Sequence, residues 1–137
     1  MQFKRLAIVA AIAASTSLSA HAATEIQWWH SMSAALGDWV NDLANQYNAS
    51  QTNYKIVPTY KGNYDESMTA AIAAFRSGNA PDILQVFEVG TATMMASKGA
   101  IVPVTKVMND GGFKFDADEY IPAVAGYYTA PNGQMMS

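Results

Sequence analysis

Strand-like and helix-like segments alternate from residue 24 onward, and that alternation limits the available folds more than any other feature of the chain. "TEIQWW" (24–29) is a short apolar strand candidate. From Ser33, apolar residues recur at Leu36, Trp39, Val40, Leu43 and Tyr47, the spacing of one helix face. "NYKIVPTY" (53–60) is rich in β-branched and aromatic residues and reads as a second strand. In "GNYDESMTAAIAAFRSG" (62–78), Asn63 and Glu66 stand at capping-box spacing. Met68, Ala71, Ile72 and Phe75 make the apolar face of that helix, and Gly78 closes it. "PDILQVF" (81–87) reads as a third strand and "GTATMMASKG" (90–99) as a short helix ending at Gly99. The order predicts an α/β fold: a parallel sheet flanked by helices and joined by right-handed crossovers.

Such a sheet has a functional edge, because ligands bind in the crevice beyond the carboxyl ends of its strands. Three loops should therefore converge: Trp29-His30-Ser31, Gly62-Asn63-Tyr64 and Phe87-Glu88-Val89-Gly90. Trp28 and Trp29 are adjacent and point to opposite faces of a strand, so one belongs to the core and the other to the rim. Ser31 or Ser33 is placed to cap the first helix. Tyr64 lies in the first turn of a capped helix, where its phenol can donate to an anionic or hydroxyl-rich ligand; a packing contact explains it equally well. Glu88 directly follows the run Ile83–Phe87, and its carboxylate either faces water or accepts hydrogen bonds from sugar or polyol hydroxyls.

Other polar residues have plainer readings. Asp65 and Glu66 suit the positive end of a helix rather than a catalytic pair, and Arg76 suits the negative end. Lys55 and Lys61 read as strand-edge or loop charges. After residue 22, His30 is the only histidine, and there is no cysteine to join it in a metal site; capping or packing is its expected role. No catalytic residue, metal site or cofactor is predicted. No arginine follows a strand end, and neither "GNAPD" nor "GTAT" has the spacing of a phosphate-binding loop.

The first 22 residues have a different character. Lys4 and Arg5 precede the nine-residue apolar run "LAIVAAIAA", and "AHA" (20–22) is a small-x-small cleavage site. All three parts of a secretory signal peptide are there, and the run is shorter than the roughly 20 residues that span a bilayer. Export to the periplasm is expected, without membrane insertion. From Ala23 onward six basic residues face eleven acidic ones, which disfavours nucleic acid as a partner.

"WHSM" (29–32), "NYKIVPTYKGNYDE" (53–66), "AAFRSGNAPDILQVFEVGTATMMASKGAIVPV" (73–104) and "GYY" (126–128) closely resemble the glycerol-3-phosphate-binding branch of the periplasmic solute-binding proteins of ABC importers. The resemblance runs from Glu25 to Tyr128; "KIVPTYKGNY" and "VGTATMMASKGA" are its most specific stretches. It implies two α/β lobes closing on a ligand about a hinge, in a monomer that delivers its ligand to membrane permease subunits and is not an enzyme. It also implies that Tyr64 and Glu88 contact the ligand, with Glu88 on the glycerol hydroxyls; Trp29 and Ser31 are weaker candidates. In that family an arginine and small polar residues that complete the site lie beyond the length of this chain. An oligosaccharide receptor of the same fold and an exported phosphodiester hydrolase are the competing readings. The latter needs a metal cluster or an activated nucleophile.

"GYYTAPNGQMMS" (126–137) reads as a hairpin entering its second strand around the "PNG" turn. Residues 23–137 are thus expected to form part of one lobe, the N-terminal part of a solute-binding domain lacking the second lobe. Such a piece should expose apolar surface and bind weakly by itself.

Overall fold

The structure is a computed structural model describing residues 22–97 and 99–137; apart from Ala22, the expected signal segment lies outside the described residues. Strand β1 (Thr24–His30) leads to helix α1 (Ala34–Ser50), β2 (Tyr54–Tyr60), α2 (Tyr64–Arg76) and β3 (Ile83–Leu84). Three short helices follow: α3 (Thr91–Ala96), α4 (Val104–Asp110) and α5 (Pro122–Tyr127). The strands form a parallel sheet in the order β2-β1-β3, as the alternation predicts.

β1 is central and its register sets the two faces of the sheet. Trp28 pairs with Pro58, Trp29 with Thr59 and Leu84, and His30 with Tyr60. His30, Pro58 and Tyr60 share a cavity with Gly37, Asp38 and Asn41 of α1, whereas Leu84 shares one with Ala71, Ile72 and Phe75 of α2. The helices therefore flank opposite faces, the arrangement of a doubly wound sheet. Asn48 of α1 seals the outer edge of β2: its amide donates to Ile56 O (2.9 Å) and accepts from Ile56 N (2.7 Å). A side chain there takes the place of a neighbouring strand.

Four local expectations change. Strand β3 is reduced from 81–87 to Ile83–Leu84, although ladder bonds extend from Asp82 N to Gln27 O and from Gln85 N to Trp29 O. Because β1 ends at His30, Val86 and Phe87 have no strand to pair with there. The helix expected over 90–99 is a 3₁₀ turn at Glu88–Gly90 followed by α3, which ends at Ala96. Ser33 occupies the N-cap of α1 but makes no side-chain cap bond. The hairpin expected from Gly126 narrows to 128–136, because Pro122 starts α5 and that helix holds Gly126 and Tyr127. Met136 N donates to Tyr128 O and Ala130 N to Gln134 O, both at 2.9 Å, with Gly133 at φ +82° completing the turn.

The core is small. Val40, Ala44, Ala71 and Met135 are its buried apolar residues. On α1 the buried line is Val40–Ala44, while Leu36, Trp39 (60 % exposed) and Leu43 face outward. Helical spacing defined an apolar stripe on α1 but not which edge of it meets the sheet.

The capping box of α2 forms as expected: Glu66 N donates to Asn63 Oδ1 at 3.0 Å, and Asn63 N to Glu66 Oε2 at 2.8 Å. Replacing Asn63 with Ala should destabilise the protein by about 1 kcal/mol, read from the urea unfolding midpoint. At the end of β1, His30 is buried (3 % exposed) between Trp28 and Tyr60, with ring centroids 6.0 and 6.1 Å away. Met32 N donates to its Nδ1 (3.3 Å), so the neutral ring carries its proton on Nε2. Burial holds its pKa below the ordinary 6.5. The unfolded chain then binds the extra proton first, so stability should fall as pH drops from about 6.5 through the lower folded value. Unfolding midpoints between about pH 7.5 and pH 5 should show that slope, and His30→Asn, which can accept the Met32 N–H without titrating, should flatten it.

Candidate functional site at the carboxyl edge of the sheet

In a sheet ordered β2-β1-β3 the chain leaves β1 towards β2 by one face and returns to β3 by the other. The crevice between the carboxyl ends of β1 and β3 is the switch point at which α/β sheets take ligands. Ser31 N donates to Gln85 Oε1 (3.0 Å) across it. That bond ties the loop after β1 to the segment after β3. Ser31 Oγ is buried and has no hydrogen-bond partner among the described residues.

Two further contacts complete the rim. The Tyr64 ring, in the first turn of α2, stacks on Phe87, with centroids 5.3 Å apart and planes inclined by 26°. Lys61, directly after β2, places Nζ 3.8 Å from the centroid of the Trp29 ring. The three loops are thus joined pairwise: first to third by Ser31–Gln85, second to third by Tyr64–Phe87, second to first by Lys61–Trp29. The convergence expected from the sequence is present in the fold.

Glu88 opens the 3₁₀ turn and is exposed. Its carbonyl accepts a 2.6 Å hydrogen bond from Tyr127 Oη of α5, which holds the turn while leaving the carboxylate unpaired among the described residues. Gly90 is required by close approach: a Cβ there would lie 2.9 Å from Phe87 Cε1, 3.0 Å from Val86 Cγ1 and 3.2 Å from Met68 Sδ. A side chain at 90 would press on the ring that supports Tyr64. Tyr64 is 38 % exposed, so its face on Phe87 is covered while part of the ring remains open to solvent.

The rim therefore offers a phenol, a carboxylate and an ammonium on an indole face. Such groups hold a small polar molecule by hydrogen bonds and charge. His30 is set apart from them, on the α1 face and with Nδ1 engaged. Among the described residues no group of three His, Cys, Asp or Glu side chains is placed to hold a metal ion.

Sequence reasoning named Trp29, Ser31, Tyr64 and Glu88 as candidates but did not foresee the contacts of Gln85 with Ser31, Phe87 with Tyr64 and Tyr127 with Glu88, and it read Lys61 as a loop charge. The alternation of side chains along β1 and β2 was the available signal for Lys61. Residues 29 and 61 fall on the same face once His30 is paired with Tyr60. The larger cavities lie elsewhere. A groove of about 640 Å³ runs beside β3, lined by residues such as Ile83, Met95, Val107 and Met136, and neither Tyr64 nor Glu88 lines it.

The chain is 50 % identical over 131 residues to the sn-glycerol-3-phosphate-binding periplasmic protein UgpB of Brucella suis, covering 96 % of this chain and 30 % of that one. It is 55 % identical over 135 residues to the protein of the same name from Yersinia enterocolitica, covering 98 % and 30 %, and 46 % identical over 132 residues to that of Rhizobium meliloti, covering 96 % and 31 %. The chain thus spans about 30 % of the length of the curated relatives it matches. Among solved structures, "CpMnBP1 with Mannotriose Bound" superposes with a TM-score of 0.68 at 20 % identity, over 82 % of this chain and 27 % of that one. Over the part that superposes, the two chains share one α/β fold. Residues 33–133 match the family described as bacterial extracellular solute-binding protein, and the chain belongs to that family.

Proposed function

We propose that this chain is part of the substrate-binding component of an ABC importer, which captures sn-glycerol 3-phosphate in the periplasm and passes it to membrane permease subunits. The observation that carries this reading is the 46–55 % identity, over nearly the whole chain, to relatives named for that ligand. On this reading residues 1–22 are a signal peptide and residues 23–137 the N-terminal part of the solute-binding domain. The role is binding rather than catalysis, in keeping with the family.

Tyr64 and Glu88 are the ligand-contacting pair, with Trp29 and Ser31 beside them. An ionised carboxylate accepts hydrogen bonds from two polyol hydroxyls but repels a phosphate, so Glu88 takes the glycerol end. Tyr64, supported by Phe87, donates from a ring already held in place, so little side-chain freedom is lost on binding. Glycerophosphodiesters keep the same glycerol end and are alternative ligands of the same site.

Calorimetric titration tests the reading on the protein that carries this chain. sn-Glycerol 3-phosphate should saturate one site, and a maltose-type oligosaccharide should not compete. Glu88→Gln and Tyr64→Phe should each weaken binding by about tenfold or more. Saturation by the oligosaccharide with none by glycerol 3-phosphate would move the assignment to a sugar receptor.

A further inference from the structure

We infer that Lys61, resting on the Trp29 ring, is the anion-contacting group that this chain brings to the crevice, a specificity determinant for phosphorylated over neutral polyols. The inference rests on the ligand reading above and adds to it a residue for the charged end of the ligand.

Four observations carry it. Lys61 follows the last residue of β2, at the carboxyl edge, and its backbone N–H continues the ladder to His30 O at 2.9 Å. Its Nζ lies 3.8 Å from the centroid of the Trp29 ring, and the residue is only half exposed. Among the described lysines, Lys55 pairs with Glu25, Lys106 with Asp110 and Lys114 with Asp116, while Lys61 has no carboxylate within 4.0 Å. The strand register puts Trp29 and Lys61 on the α2 face of the sheet, the face from which Tyr64 reaches Phe87.

The physical consequence follows from what an indole face does to an ammonium. The ring attracts the charge by about 0.5–2 kcal/mol and strips part of its water, but it accepts no conventional hydrogen bond. The three N–H donors are not spent on a carboxylate, so a phosphate oxygen can take one without first breaking an ion pair. The ring also restricts the four-carbon stem, so less freedom is lost when the anion arrives. Asp65 and Glu66 make the first turn of α2 a poor phosphate site, since Glu66 is engaged in the capping box and both are negative. With Glu88 on one side and Lys61 on another, a ligand bearing hydroxyls at one end and a phosphate monoester at the other has a single favourable orientation.

The test uses the protein carrying this chain, titrated with sn-glycerol 3-phosphate at several salt concentrations. Lys61→Met and Lys61→Gln should each raise Kd about tenfold or more and flatten its rise with salt, and Lys61→Arg should recover most of the affinity. Inorganic phosphate and glycerol separate the two ends of the ligand: inhibition by phosphate should weaken about tenfold in Lys61→Met, and inhibition by glycerol should be unchanged. A Lys61→Met protein with the affinity and salt slope of the wild type overturns this assignment and leaves the receptor reading standing. A wild-type protein that does not bind glycerol 3-phosphate overturns both.

Discussion

The parallel ladder between β1 and β2 is the interaction on which the rest of the molecule depends. It runs in unbroken register from Thr24 opposite Tyr54 to His30 opposite Tyr60, and β1 is hydrogen-bonded on its other edge to β3. That register decides which side chains meet which helix: Trp28 and His30 turn to α1, Trp29 and Lys61 to α2. Side chains alternate with a period of two, so a slip of one residue would exchange the faces and turn Trp28 and Trp29 to the wrong helices. It would also remove the ammonium from the indole and the histidine from its place between Trp28 and Tyr60. The crevice chemistry is therefore a by-product of backbone pairing more than of the loops that carry it.

Legibility follows the distance over which a signal acts. The Asn63–Glu66 capping box joins residues three apart, and the sequence states it outright. The strands were readable from composition, and the convergence of their loops from the rule for parallel sheets. The supports of the site were not readable. Ser31 N meets Gln85 across 54 residues and Tyr127 meets Glu88 across 39. Nothing in either neighbourhood names its partner until the strands are laid side by side. Helix α1 shows the same limit in another form. Leu36, Trp39, Val40, Leu43 and Tyr47 have the spacing of one apolar stripe, yet of these Val40 alone is buried, with Ala44 beside it, because periodicity fixes a direction on the helix and smaller residues allow the closest approach. The contact of Lys61 with Trp29 is hidden for a related reason: a lysine after a strand reads as a solvated charge, and only the register sets it over the indole.

Charge placement at the rim is consistent across levels of description. Glu66 answers a backbone donor in the capping box, Lys55 answers Glu25 across the β1–β2 ladder, and Lys106 answers Asp110 one helical turn away. These charges are spent on structure. Glu88 and Lys61 are the exceptions at the crevice, one held through its carbonyl and the other through an aromatic face, each with its charge uncommitted. Surface pairs contribute little to stability in any case. Leaving two opposite charges unpaired at a switch point costs the fold almost nothing.

An open rim of this kind cannot by itself hold a small anion tightly. Tyr64 and Glu88 are exposed, and hydrogen bonds made by exposed groups compete with those of water, so each yields little net free energy. The same contacts strengthen several-fold where water is excluded and the local dielectric falls. On the proposed reading, a second surface closing over the ligand supplies most of the affinity, and the residues of this rim orient the ligand before that happens. Phe87 under Tyr64, Tyr127 under the Glu88 turn and Trp29 under Lys61 serve that end: each fixes a polar group from behind while leaving its reactive side uncovered. Preorganisation of one wall lowers the entropy lost when the other arrives. In this chain the aromatic residues are better understood as backing for the polar groups than as the ligand's own platform.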